Sequence, residues 1–431
     1  MHQIDFDLNI DEISKIEGDA GLDLSVRDGK VVDVKFKIQE YKRFYTLGMR
    51  GKDATTVPQF VSRICGTCSN AHLLASIEAA EKALGIEVSQ QTRLMKQLMI
   101  NGLMIRDHAL HLYVFALPDL FRKDSLIDFD ENDPEQHQYL HDALDVKAVG
   151  NELQIYISGR SVHAPFAAVG GFMQIPDNSK NSKLVEKLES IRPAVLRLLM
   201  KFLEKIEPFE RETTYMAIRG KDAWSFLEGE IYSSDGQHIA ESEFRDHLEH
   251  VVLPYSQASA YSYNGQEYLT GSLARLNLNK DQLHARTRLE IGDVLTLFPS
   301  TNVYLNNVAQ TIEVLHCIDE SIDLLKTAHF VKEDRVKPTR ESGTGVGVID
   351  APRGLLFYKL VVENKIVKDG QVVVPTGQNQ MNITKDIGNY VQNNLDVDRK
   401  ELEFKIEELI RAYDPCMSCA SHFLKVKWDV A

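Results

Sequence analysis

Apolar and polar residues alternate along GLDLSVRDGKVVDVKFKI, residues 21–38, on both sides of Asp28-Gly29. A period of two predicts strands, and Asp-Gly supplies the tight turn between them, so a β-hairpin is expected here. From Val57 onward the period lengthens to that of a helix. Residues 89–117 carry Leu94, Met95, Leu98, Met99 and Leu103 at helical spacing. They predict a long, largely buried helix that Pro118 stops. Further helices are predicted near 134–157 and 182–206, and Pro193 inside the second predicts a kink or break. Ser233-Ser234-Asp235-Gly236 marks a turn. Leu305, Val308, Ile312, Leu315, Ile318 and Ile322 form one stripe, which predicts a strong helix over about 302–328. LLFYKLVVENKIVKDGQVVV, residues 355–374, reads as a second hairpin around Asn364. A last helix, about 398–413, delivers the chain to Asp414-Pro415. The one linker-like stretch is 335–347, which holds Pro338 and three glycines. The pattern predicts a mainly α protein with small β elements (α+β), in one domain over residues 1–431.

A chain of 431 residues can bury a large core without disulfide staples. Its formal net charge of −14 argues against nucleic-acid binding, which needs a concentrated basic surface, and against docking on anionic lipid. The sequence contains no run of about 18 apolar residues, so no membrane insertion is expected. The start, MHQIDFDLNIDEISKIEG, has no basic region followed by an apolar core, so no Sec signal peptide is expected; export on a partner's signal stays open.

Cysteine usage changes the picture most. Of the five, Cys65 and Cys68 stand in RICGTCSNAH, Cys416 and Cys419 in DPCMSCASH, and Cys317 stands alone. An odd count with two tight pairs is a poor disulfide framework and reads as metal ligation in a reducing compartment. Two residues between cysteines let both sulfurs reach one ion, and four thiolates together need a strong, soft cation. On spacing alone a structural zinc site, a nickel or iron site and redox thiols all remain open. Zinc ribbons usually keep their pairs close in sequence, whereas these pairs stand near opposite ends of the chain.

RICGTCSNAH and DPCMSCASH resemble the two signature motifs of nickel–iron hydrogenase large subunits, RxCGxCxxxH and DPCxxCxxH. SKIEGDAGL resembles the family's N-terminal (R/K)IEGH segment. RDHALHLYVFALPDLF resembles the helix behind the metals, and SGRSVHAPFAAVGGF the middle GGRxxHPxxxxGG segment. DAPRGLLFYKL and VVVPTGQNQ resemble the segments that enclose the iron's diatomic ligands. These matches occur in order from Glu17 to His422. The length, ALHLY, and RAYDPC followed by a short tail resemble the cytoplasmic, bidirectional class, especially sulfhydrogenase-type α subunits working with NAD(P).

The resemblance implies long buried helices around a Ni–Fe site and reversible, heterolytic cleavage of H2. It implies that all four paired cysteines bind nickel, with Cys68 and Cys419 also bridging to an iron that carries carbon monoxide and cyanide. Cys65 and Cys416 are then terminal, Cys416 is the first proton acceptor, and Glu17 relays the proton. Arg353 is implied as a fixed cation over the metals, held by Asp119 and Asp414, with Pro352 and Thr376 completing the pocket around the cyanides. His72 is implied to hydrogen-bond near Cys68. The family often has a glutamate where Thr46 stands, as a magnesium ligand with His422. Here Glu40 substitutes, or waters do, or the magnesium site is absent.

Arg63 reads as a structural or cluster-facing cation. His108, His111 and His163 read as packed or capping residues rather than ligands, and Cys317 as a buried structural thiol. With no cysteine left for an iron–sulfur cluster, and no Gly-x-Gly-x-x-Gly fingerprint, electrons are expected to leave through partners. These are an iron–sulfur small subunit and electron-transfer subunits carrying flavin and iron–sulfur clusters. A maturation endoprotease is implied for the tail FLKVKWDVA, residues 423–431. Competing readings are a regulatory hydrogen sensor, a non-metal scaffold related to the quinone module of respiratory complex I, and a zinc-stabilised structural subunit.

Overall fold

A computed structural model describes residues 5–421. His422 and the tail 423–431, expected as a magnesium ligand and a cleavable segment, lie outside the described residues.

Four long helices, Gln90–Ala109, Pro134–Ser158, Asn181–Glu204 and Leu305–Thr327, pack on one another and carry much of the core. Their ends follow from local chemistry. Ser89 Oγ accepts the Thr92 N–H at 3.0 Å, and Asp133 accepts the N–H groups of Glu135 and Gln136 ahead of Pro134. The second helix ends on Gly159 with φ +84°, a left-handed cap. It crosses the first closely because a Cβ on its Gly150 would stand 2.8 Å from the Arg106 nitrogen.

Both prolines behave differently from expectation. The helix expected to stop at Pro118 loosens into a π-helical stretch, Leu110–Ala116, and then continues through Leu117–Leu120. Pro118 falls in the first turn of that last segment, where a missing N–H costs little. Asn181–Glu204 runs unbroken through Pro193. Its buried face, including Leu188, Ile191, Val195 and Leu198, packs on Leu305–Thr327, and Arg192 grips Asp319 there at 2.8 and 3.0 Å. Tertiary packing outweighs the cost of about 3 kcal/mol that a proline imposes on a helix.

Both predicted hairpins form. Ala20–Arg27 pairs with Lys30–Ile38 across Asp28-Gly29, both at positive φ, and Phe6–Ile10 adds an unexpected third strand. Gly354–Glu363 pairs with Ile366–Val373 across Asn364-Lys365, at φ +51° and +65°. The Ser233–Gly236 turn joins short strands of a four-stranded sheet built on Thr214–Arg219, which the pattern did not predict.

The glycine end of the supposed linker is a strand, while residues 335–342 carry no regular structure. Gly343–Ala351 is a strand paired with Gly354–Glu363, leaving Pro352-Arg353 as a two-residue tip. Its glycines lie flat on the Ser69–Leu84 helix: a Cβ on Gly345 would stand 2.0 Å from the Ala79 carbonyl oxygen, and one on Gly347 2.3 Å from that of Ala75. Glycine at every second strand position against alanine at every fourth helix position is a close-packing pattern, not linker composition. Gly345→Ala should therefore cost about 1–3 kcal/mol through overpacking, read as a lower thermal midpoint of the purified protein. A midpoint equal to the parent's would show that the strand can back away from the helix.

Candidate metal centre

Cys65 follows the 3₁₀ turn Ser62–Ile64, and Cys68 is the N-cap of Ser69–Leu84. Its thiol therefore sits at the positive end of a sixteen-residue helix. Cys416 lies two residues after Asp414, whose φ of +50° turns the chain inward; Cys416 caps one short helical turn, Met417–Ala420, and Cys419 lies within it. The four sulfurs lie within 4.8 Å of one another, all buried. Cys65 and Cys416 are 3.5 Å apart, Cys68 and Cys419 3.1 Å, and Cys416 and Cys419 2.8 Å. The fifth cysteine, Cys317, is buried in the Leu305–Thr327 helix, and burial pushes its thiol well up, as expected of a structural thiol.

Electrostatics argue that this cage is built for a cation. Hydrogen bonds from Cys416, Cys419 and Cys68 hold the Cys65 thiol well below its ordinary range. Burial pushes Cys416 and Cys419 well above theirs. Neighbouring thiols can thus solvate one buried negative charge, but four buried thiolates require a metal.

Arg353 overlooks the cage from its hairpin tip. Burial opposes its charge, but Asp107, Asp414 and the sulfurs of Cys416 and Cys68 hold its basicity well above the ordinary. Nη1 donates to Asp107 at 2.9 Å and Nη2 to Asp414 at 2.8 Å. Nε is buried and has no partner among the described residues. A free donor on a guanidinium that feels the charge of Cys416 and Cys68 suits a metal whose other ligands accept hydrogen bonds.

Asp119 does not hold Arg353, contrary to the sequence expectation. Its carboxylate takes Arg411 Nε at 2.6 Å and Lys15 Nζ at 2.6 Å. Asp107, in the same RDHALHLYVFALPDLF segment, holds Arg353 instead. The two aspartates stand twelve positions apart along α- and π-helix and meet different guanidinium groups.

Glu17 is tied to the second cysteine pair through main chain and side chain. Its carbonyl accepts the Met417 N–H at 2.9 Å. Its Oε2 accepts the Cys416 thiol at 3.0 Å and the Ser418 N–H at 3.1 Å. Burial, then the charge on Cys65, raises the Glu17 carboxyl. Thr376 Oγ1 accepts the Cys416 N–H at 2.9 Å, and the Pro352 carbonyl accepts from Arg275.

His72 faces Cys419, at 3.5 Å from Nε2, rather than Cys68. His72 Nδ1 and the Tyr358 hydroxyl share a hydrogen bond of 2.7 Å, and burial brings the ring down to about 4, hence neutral. His108 meets Glu313, His111 meets Gln310 and the Arg411 carbonyl, and the half-buried His163 uses its backbone N–H on Ser69. Arg63 is exposed. Thr46 Oγ1 is buried without a partner among the described residues, and Glu40 Oε2 lies beside Gly18, next to Ser418.

Sequence reasoning missed Asp107, Gln310, whose Nε2 donates to Asp414 at 2.9 Å, and Arg275 with Glu313 and Asp350. One signal was available for Glu313: a carboxylate inside a helix whose neighbours, Ile312, Val314 and Leu315, are all apolar.

A family model described as nickel-dependent hydrogenase matches residues 46–132 and 203–422. The α subunit of sulfhydrogenase 1 of Pyrococcus furiosus is 30% identical over 433 residues, covering 99% of this chain and 100% of that protein. An F420-non-reducing hydrogenase subunit of Methanothermobacter marburgensis is 28% identical, covering 98% and 96%. The fold resembles that of an NAD+-reducing [NiFe]-hydrogenase in its H2-reduced state, with a TM-score of 0.87, 24% identity, and coverage of 97% and 99%.

Serine in place of any one of Cys65, Cys68, Cys416 or Cys419 should lower the transition metal held per chain at least about tenfold, since a hard hydroxyl replaces a soft thiolate. Elemental analysis of the purified variants checks this, and full metal content in all four would refute a shared cage.

Proposed function

The chain belongs to the nickel-dependent hydrogenase family, as a catalytic subunit, and we propose that its four paired cysteines hold a nickel–iron centre for reversible cleavage of H2. The observation that carries this reading is the convergence of four buried sulfurs, two of which act on the charge of Arg353, whose Nε has no partner among the described residues. Cys65 and Cys416 would hold the nickel, and Cys68 and Cys419 would hold nickel and iron together. Bound there, the centre supplies the Lewis acid that lets a very weak acid, dihydrogen, split heterolytically.

The chain's own residues manage the proton and the charge. Cys416 Sγ accepts the proton, and Glu17 Oε2, 3.0 Å away, takes it onward. Glu17 is half-buried and the following Gly18 and Asp19 are exposed, which makes this edge a short route to solvent. Arg353 would offer Nε–H as a charge-assisted donor to cyanide or carbon monoxide on a bound iron. Thr376 receives the Cys416 N–H and keeps its own hydroxyl proton to donate to the same ligands. Pro352 closes the pocket beside Arg353. Asp414 and Asp107 fix the guanidinium. Asp119 acts one step away, by fixing Arg411 behind the terminal segment. A magnesium ion, if bound, takes Glu40 and His422 as ligands.

The whole chain works as one large-subunit unit. Electrons leave through an iron–sulfur small subunit and flavin-bearing partners to NAD(P) or another carrier, in the cytoplasm. Support for a docking partner comes from Tyr41, Phe44 and Leu47, which are 85%, 56% and 55% exposed ahead of the first cysteine pair. No helix among the described residues is long and apolar enough to cross a membrane. A regulatory sensor would share the metals but not the turnover.

The assembled complex should contain nickel and iron and oxidise H2. Glu17→Gln should keep both metals yet slow hydrogen–deuterium exchange about 100-fold or more, because glutamine keeps the shape but cannot cycle a proton. Exchange at the parent rate would remove Glu17 from the route. Zinc in place of nickel and iron would overturn the whole reading.

A further inference from the structure

Arg275 lies in the Ser272–Asn279 helix, fully buried and far in sequence from both cysteine motifs. Its guanidinium makes bonds in every direction it can. Nε and Nη2 grip Glu313 at 2.6 and 2.8 Å, and Nη1 donates to Asp350 at 3.0 Å. Nη1 also reaches the Ala351 carbonyl at 3.0 Å, and Nη2 the Pro352 carbonyl at 3.1 Å. Those two carbonyls belong to the residues immediately before Arg353.

The opposite side of Arg353 is anchored to the same cluster. Glu313 Oε2 meets His108 Nε2 at 2.9 Å, and His108 follows Asp107, which holds Arg353 Nη1. Asp350 is also pinned, through its second oxygen, by the Ile218 N–H at 2.7 Å. Against burial, the Arg275 charge holds Glu313 down at about 2, so this carboxylate is a permanent anion at neutral pH.

We propose that Arg275 is a positioning residue that sets Arg353 over the metal centre, fixing the hairpin tip directly and the Asp107 segment through Glu313 and His108. The tip contains only Pro352 and Arg353, so a displaced Pro352 carbonyl displaces the origin of the Arg353 side chain. A purely stabilising ion cluster has no need to end on main-chain carbonyls at the tip that bears Arg353. Lysine cannot replace this fork, because three ammonium protons cannot serve Glu313, Asp350 and both carbonyls together.

This inference rests on the role of Arg353 proposed above, and a double-mutant cycle on the assembled complex separates the two. Arg275→Lys should keep nickel and iron, lose at least about tenfold in kcat for H2 oxidation, and leave the KM for H2 nearly unchanged. Its nickel paramagnetic resonance signal should shift in the same direction as that of Arg353→Lys. Adding Arg275→Lys to Arg353→Lys should cost little more than Arg353→Lys alone. Losses that multiply, or an unshifted nickel signal, would overturn the positioning role while leaving the reading of Arg353 intact. Normal turnover in Arg353→Lys would overturn both. If Arg275→Lys fails to assemble, Ser272→Ala runs the same cycle, since Ser272 Oγ bridges Arg275 Nη2 and Glu313.

Discussion

Cys65 and Cys416 stand 351 positions apart, and their sulfurs meet at 3.5 Å inside the protein. Closing a loop of that length costs about 5 kcal/mol beyond a constant term, so the fold must supply the convergence before any metal can exploit it. It does so by tying three remote segments together. The helix that begins after Cys68 lies on the glycine face of Gly343–Ala351, and that strand turns directly into the tip bearing Arg353. The Glu17 segment forms a parallel bridge with Cys416, so the terminal cysteines are held by the first residues of the core as well as by the last.

Three buried guanidiniums surround this convergence, each shared by two carboxylates: Arg353 by Asp107 and Asp414, Arg411 by Asp119 and Glu407, Arg275 by Glu313 and Asp350. Buried ion pairs contribute little net stability, since desolvation offsets most of the attraction. Their value is geometric. Removing one partner strands a charge, at a cost of about 3–5 kcal/mol, so each guanidinium is confined to one orientation. A site that fixes the direction of an N–H donor such as Arg353 Nε is served by that rigidity more than by mobile side chains.

The sequence made the chemistry legible because the cysteine pairs carry their spacing with them, and the long helices because their apolar stripes repeat over many turns. What it hid were choices among like residues. Asp107 and Asp119 lie in one recognisable segment, on either side of a π-helical stretch that a 3.6-residue period does not show, and only Asp107 meets Arg353. Gly343, Gly345 and Gly347 looked like a linker because glycine signals both freedom and close packing, and the partner alanines lie about 270 residues upstream. Arg275 carries no local motif at all; its meaning exists only once Glu313, Asp350 and the Pro352 carbonyl are assembled around it.

The most direct test is the infrared spectrum of the assembled complex, parent and Arg353→Lys side by side. A nickel–iron centre held by the four cysteines beneath Arg353 predicts bands of metal-bound carbon monoxide and cyanide in both, displaced in the variant because the planar donor fork is gone. A metal-loaded, hydrogen-cleaving complex without such bands, or bands that ignore the loss of the guanidinium, would contradict it.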